Sequence, residues 1–238
     1  MRDEIKQLRR HLTEVQYSFK SGRIHKGEIG ITPVVGLGKR HNLLNRDLLW
    51  LIGAAKEQLF ICTPYFNPPK LILQALNEAL ERGIRLTLVV GDKKANDFFI
   101  HEGEEFSTVG AVPYIYEQNL REFVLTHKKY IEKNQLDIRL WADGTNTYHV
   151  KGLFVDQNLA LMTGNNLNPR AWALDLENGL IIHDPNHLLK EKFMHEQQYL
   201  LKHTTKITSE NCLEDFESYP DEVKRILRKV KRLKASIF

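Results

Sequence analysis

The sequence is short of cysteine, has no long apolar run and carries no dominant charge of one sign. Two cysteines among 238 residues, Cys62 and Cys212, make neither a disulfide framework nor a zinc pattern. A reducing cytoplasm is the expected setting. The longest nearly apolar run, Leu48 to Ala55, falls far short of the roughly 20 residues of a membrane span. Behind Met1-Arg2-Asp3-Glu4 there is no apolar core, so no secretory signal is expected. Internal repeats and low-complexity tracts are absent. With 42% hydrophobic and 27% charged residues, disordered and collagen-like classes are excluded. What remains is one large domain or two small ones.

The formal net charge of +4 is unevenly spread. Residues 1–27 carry +4 and residues 221–238 carry +5, which leaves −5 on the body between them. A nucleic-acid reader keeps its positive charge on the groove-forming body, so no nucleic-acid partner is expected. Basic ends suit an anionic membrane surface instead.

Three regions follow. Residues 1–27 hold a helix with apolar positions at Ile5, Leu8, Leu12, Val15 and Phe19, closed by Ser21-Gly22. Residues 28–203 form the main body. Residues 204–238 are read as a polar loop and a basic amphipathic helix. Within the body, Ile31–Leu37 reads as a strand, and Asn45 as the cap of a helix to about Lys56. Leu59–Thr63 is a short buried strand, Lys70–Arg82 a helix closed by Gly83, and Ile84–Val90 a second buried strand. This β-α-β unit implies parallel pairing. A helix near Pro113 and strands over Leu136–Trp141, Tyr148–Val155, Leu159–Met162 and Gly179–Ile182 follow, then a helix over Asn186–Leu201. The fold class is α/β, a sandwich with a mixed sheet flanked by helices on both faces.

The chemistry concentrates in His149-x-Lys151-x4-Asp156. Alone the pattern is weak, arising by chance in roughly one chain in twenty to fifty of this size. On a strand, residues two apart share a face, which would aim His149 and Lys151 into one site. Ten residues beyond Asp156 comes Asn166, in Thr163-Gly164-Asn165-Asn166-Leu167-Asn168, followed by Arg170, Asp175 and Glu177. These types suit phosphodiester transfer. An imidazole attacks phosphorus or passes a proton. An ammonium and an amide offset charge on the phosphoryl oxygens. Glu177 is the candidate to hold the other imidazole nitrogen. The scheme requires neither metal nor cofactor. His183-Asp184-Pro185-Asn186-His187 reads as a turn and helix start rather than a metal site. Gly36-Leu37-Gly38-Lys39 lacks the Walker spacing, and no Gly-x-Ser-x-Gly is present.

These residues resemble the phospholipase D superfamily, whose signature is H-x-K-x4-D followed by G-[SG]-x-N. His149, Lys151, Asp156 and Asn166 occupy the signature slots, and Glu177 matches the downstream acid. Thr163 and Gly164 stand where glycine and serine are commoner. By the resemblance, Asp156 supports the end of its strand, and the chain has the superfamily's sandwich fold. Ile61–Asn67, Val90–Lys93, Ala95-Asn96-Asp97-Phe98, Asn146–His149 and Gly164–Trp172 are similar to those proteobacterial members that transfer a phosphatidyl group from CDP-diacylglycerol to L-serine. The resemblance implies CMP release through a phospho-histidine, on the inner face of the cell membrane. Asn168, Arg170, Tyr65 and Phe66 are the candidate substrate contacts.

The superfamily uses two such motifs meeting at one site, and this sequence has one. His127-Lys128-Lys129 is no second motif, since it lies in a helical pattern and no G-x-x-N follows. The chain therefore reads as the C-terminal half of a two-motif enzyme. It acts as a homodimer or with a missing N-terminal half, and whether His149 is nucleophile or proton donor stays open. Cardiolipin synthesis, cleavage of nucleic-acid phosphodiesters, or an inactive lipid-binding assembly module are the alternatives.

Overall fold

The computed structural model describes residues 2–14, 24–101 and 103–237. In chain order the elements are α1 (Arg2–Glu14), β1 (Gly30–Leu37), α2 (Leu43–Ala54), β2 (Gln58–Thr63), α3 (Lys70–Glu81), β3 (Arg85–Gly91), α4 (Val112–Thr126), α5 (Lys128–Glu132), β4 (Leu136–Trp141), β5 (Gly152–Val155), β6 (Leu159–Thr163), α6 (Pro169–Ala173), β7 (Leu176–His183), α7 (Lys190–Leu200), β8 (Thr204–Ile207) and α8 (Asp221–Ile237). The strands form one sheet in the order β1-β7-β6-β5-β2-β3-β4-β8. Pairing is parallel in β2/β3 and β3/β4 and antiparallel elsewhere.

The sandwich follows from β2. Its residues are almost all buried, and alternate side chains enter opposite faces. Leu59 and Ile61 join Leu48, Leu51 and Ile52 of α2 and Ile72 and Leu76 of α3. Phe60 and Cys62 join Tyr148 and Leu200 on the other face, where Phe154 meets Phe193 of α7 edge-on. Helices thus cover both faces, as the apolar runs imply.

Local boundaries differ from the sequence reading in four places. Asn42, not Asn45, caps α2: its Oδ1 accepts the Asn45 amide at 2.9 Å. Asn45 is buried one turn in, where its Nδ2 donates to the Trp172 carbonyl. The strand expected from Tyr148 starts only at Gly152. Beyond Thr63 its neighbour β2 gives way to Pro64, which has no amide to donate, and the Tyr148 amide donates instead to the Ala95 carbonyl. β7 extends over Leu176–His183, so α7 begins at Lys190 rather than Asn186. Asp184 holds that turn by accepting the Leu188 and Leu189 amides. Finally, the segment read as a loop contributes β8, an edge strand on β4.

Of the basic terminal segments, α1 exposes Ile5 and Leu8. Val15, Phe19 and the Ser21-Gly22 stop lie outside the described residues. The first turns of α8 pack Val223, Ile226 and Leu227 against Tyr114 and Tyr219, so this part of its apolar stripe faces protein. The side chains of Val230, Leu233 and Ile237 lie outside the described residues.

Candidate active site

Strand direction gathers most of the candidate residues, though not Asp156, at one end of the sheet. β2 and β3 are parallel and finish there, at Thr63 and Gly91. β5 runs the other way, pairing Gly152 with Cys62, so Tyr148–Lys151 lie just past the end of β2. β6 finishes beside them, with Met162 opposite Gly152, and the Thr163 amide donates to the Lys151 carbonyl at 3.4 Å. β7 enters at the same end, with Gly179 opposite Thr163. His149, Lys151, the Thr163–Asn168 loop and Glu177 therefore lie at one end of the sheet because of strand order. The crevice outside strand ends is where ligands bind in open α/β sheets.

His149 is exposed. Its Nε2 lies 3.0 Å from Oδ1 of Asp97. Asp97 follows β3 through a 3₁₀ turn at Lys93–Ala95, the same turn whose Ala95 carbonyl accepts the Tyr148 amide. The other Asp97 oxygen accepts from the Tyr65 hydroxyl at 3.1 Å. Burial and the neighbouring Asp97 charge push the Tyr65 phenol well above its ordinary range, so it stays a donor. The Tyr65 ring stacks on Tyr116 at 5.3 Å.

Glu177 does not hold the His149 ring: among the described residues no hydrogen bond joins them. Its carboxylate lies over Gly164, where an added Cβ would stand 2.7 Å from Glu177 Oε2. Burial, with the like charge of Asp175, pushes the Glu177 carboxyl upward, and Lys151 and Arg170 pull it back. Lys151, Arg170 and Glu177 therefore share one electrostatic neighbourhood. Arg170 is exposed and pairs with Asp175 at 3.1 Å.

Asp156 lies away from His149, at the far end of β5. Its carboxylate accepts the amides of Lys56, Glu57 and Gln58 at 2.8, 2.9 and 2.9 Å, fastening the β5–β6 turn to the start of β2. In the loop after β6, Asn165 Oδ1 accepts the Leu167 amide. Asn168, expected as a substrate contact, is buried and caps α6 by accepting the Ala171 amide at 2.8 Å. Asn166 is left over: its carbonyl accepts from Thr63 Oγ1 at 2.7 Å, while its side-chain Oδ1 is buried without a partner. Phe66, also expected at the substrate cleft, is 3% exposed and packs on Phe123 in the core. Tyr65 and Phe66 thus diverge, one to the site and one to the interior. Sequence reasoning missed Asp97 as a partner of His149; Ala95-Asn96-Asp97-Phe98 stood out only as a stretch of resemblance.

Among the described residues no group of three or more metal-ligating side chains is found, and no helix is long and apolar enough to cross a membrane.

A family model described as "Cardiolipin synthase, PLD-like domain" matches residues 48–203. The CDP-diacylglycerol–serine O-phosphatidyltransferase PssA of Escherichia coli K12 is 42% identical over 234 residues, 98% of this chain and 51% of that protein. The crystal structure of phosphatidylserine synthase from Haemophilus influenzae Rd KW20 superposes with a TM-score of 0.94 at 43% identity, covering 98% of this chain and 52% of that one. Nuc from Salmonella typhimurium, a phospholipase D family member, shares the fold with a TM-score of 0.52 at 16% identity, over 76% of this chain and all of its own. The chain spans about half the length of the curated relatives it matches.

Proposed function

The chain belongs to the family of phospholipase-D-like domains of cardiolipin-synthase type, and on that premise we propose that it supplies one half of the site of a phosphatidyltransferase moving a phosphatidyl group from CDP-diacylglycerol to L-serine. One observation carries the reading. His149, Lys151, Glu177 and the Gly164–Asn166 loop lie at one sheet end, in a chain that follows a phosphatidylserine synthase over 98% of its length.

The contacts support a division of roles. A hydrogen bond between His149 Nε2 and a carboxylate requires a proton on that nitrogen. A histidine so held is the proton carrier: with both ring nitrogens protonated, it gives the Nε2 proton to the CMP oxygen as the phosphorus–oxygen bond to CMP breaks, and is left as neutral imidazole. The nucleophile is then the histidine of a second motif-bearing half, whose nitrogen bonds phosphorus in the same step. His149, its proton spent, next accepts the proton of the serine hydroxyl, whose oxygen bonds phosphorus as the phosphorus–nitrogen bond breaks. Lys151 and the side-chain N–H₂ of Asn166 offset charge on the phosphoryl oxygens. Asp156 acts through the fold.

The second half needs a docking face. Ile31 of β1, Met162 of β6 and Leu176 and Leu180 of β7 are 64, 60, 56 and 44% exposed. The register puts Met162 beside Leu180, and Ile31 and Ala160 opposite Ile182, on one face of the sheet. This apolar stretch of β1, β6 and β7, open among the described residues, suits a second copy or a preceding half. The exposed Arg225, Arg228 and Lys229 of α8 suit an anionic membrane surface, where the lipid substrate lies.

The test is CMP release from CDP-diacylglycerol in detergent micelles, with and without L-serine. It is run on the chain alone and on the chain mixed with a half carrying a second motif. Serine-dependent release that disappears in His149→Ala is expected. A wild-type rate in that variant, or no release from either sample, overturns the reading.

A further inference from the structure

Asp97 has two contacts, and both belong to the site. Oδ1 meets His149 Nε2 at 3.0 Å and Oδ2 meets the Tyr65 hydroxyl at 3.1 Å. The side chain is nevertheless 42% exposed. A carboxylate offers about four lone-pair positions, so acceptor capacity remains on its open side. Its charge is also opposite to that of Lys151 and Arg170: they suit a phosphate, whereas Asp97 suits a cation.

We propose that Asp97 is the residue that selects the acceptor, binding the ammonium of a 1,2-amino alcohol while the hydroxyl of the same molecule lies at His149 Nε2. This rests on the transfer reading above, in which His149 takes the acceptor's proton. The fit is geometric. In a staggered gauche rotamer the two heteroatoms of a 1,2-amino alcohol stand about 3 Å apart. That matches the 3.0 Å between Nε2 and Oδ1, so one molecule can address both atoms in place of their direct contact. Tyr65 keeps the carboxylate in place by donating to its other oxygen, and its ring is itself braced by stacking on Tyr116.

The chemistry gains selectivity from this arrangement. While the phosphatidyl group waits on the second histidine, water and neutral alcohols compete for it. With its proton spent on CMP, His149 Nε2 presents a lone pair to the Asp97 carboxylate, and two acceptors 3.0 Å apart repel. An ammonium on Asp97 offsets that charge and brings the hydroxyl of the same molecule to Nε2, whereas an acceptor without an amine leaves the carboxylate uncompensated. Proton transfer to Nε2, formation of the oxygen–phosphorus bond and breakage of the phosphorus–nitrogen bond then proceed together.

The experiment reads binding on the chain as it stands. The side-chain ¹⁵N resonances of His149, identified by their loss in His149→Ala, are followed during titration with four probes. L-serine and ethanolamine carry the amine; ethylene glycol and glycolate lack it. The amines are expected to shift the His149 signals in the millimolar range. The other two should act at least about tenfold more weakly. Asp97→Asn should raise the half-saturation point for both amines by about tenfold or more, the size of one charge-assisted hydrogen bond. Equal response to all four probes overturns the proposal. So does unchanged amine binding in Asp97→Asn, or silence toward amines well above the range of ordinary KM values. The two readings fail separately. Amine selectivity without CMP release leaves Asp97 assigned and removes the transferase, whereas serine-dependent release without amine selectivity does the reverse.

Discussion

Replacing Asp156 separates a structural aspartate from a chemical one. Its carboxylate receives three amides from the start of β2, at 2.8, 2.9 and 2.9 Å. Hydrogen bonds to a charged group contribute about 1.5–3 kcal/mol each. Lys56 and Glu57 are exposed and water can replace the carboxylate there, whereas Gln58 is half-buried at the strand start. One full bond plus fractions of two gives about 2–4 kcal/mol. The backbone adds a second test, because Asp156 and Gln157 have φ of 48° and 57°. Glycine takes this conformation without cost, while alanine pays about 1–2 kcal/mol. Asparagine tolerates it, keeps one acceptor oxygen and turns an N–H₂ toward a donor. The stability order in urea denaturation is therefore wild type, Asp156→Asn, Asp156→Gly, Asp156→Ala. CMP release should fall only as the folded fraction falls. Asp156→Gly within about 0.5 kcal/mol of wild type, the range of ordinary surface changes, would refute the reasoning. So would an Asp156→Asn protein that is fully folded and inactive.

Lys93 is buried under Glu117 and Glu214, at 2.9 and 2.7 Å, with the Tyr114 and Tyr219 rings beside it. Lys93→Met leaves the Glu117 carboxylate uncompensated and should cost about 3–5 kcal/mol in denaturant; adding Glu117→Gln should recover part of that, and an additive double variant would argue against the pair. Asn168→Ala removes the α6 cap and should cost about 1 kcal/mol of stability. A raised KM for serine with unchanged stability would instead return Asn168 to the substrate. Burial pushes the Cys62 thiol up to about 12, whereas hydrogen bonding at Thr208 lowers exposed Cys212. The thiolate is the reactive form, so at pH 8 iodoacetamide should label Cys212 quickly and Cys62 only on unfolding. Equal rates would contradict the burial of Cys62.

Much of the body was legible because its signals are local. The β2-α3-β3 unit announces itself by two apolar runs, a Pro68-Pro69 start and a glycine stop at Gly83, whose φ of 87° suits its place just past α3. The spacing His149-x-Lys151-x4-Asp156 and the asparagine ten residues on are countable without any structure. Edge strand β8 escaped, because a strand bonded on one side only needs backbone partners and shows no apolar run. The length of β5 escaped too, since it ends where Pro64 removes a donor on the neighbouring strand.

The sequence by itself determined the fold class, the residue types of the candidate site and their order along the chain, because periodicity, turn chemistry and spacing are properties of short segments. Only the tertiary structure decided what each side chain meets. Asp97 reaches His149 across 52 residues, Asp156 reaches the start of β2 across about 100, Asn168 turns to cap α6 and Phe66 turns into the core. Those outcomes depend on which strand ends lie side by side, and the order β6-β5-β2-β3 is set by packing the whole sheet between its helices.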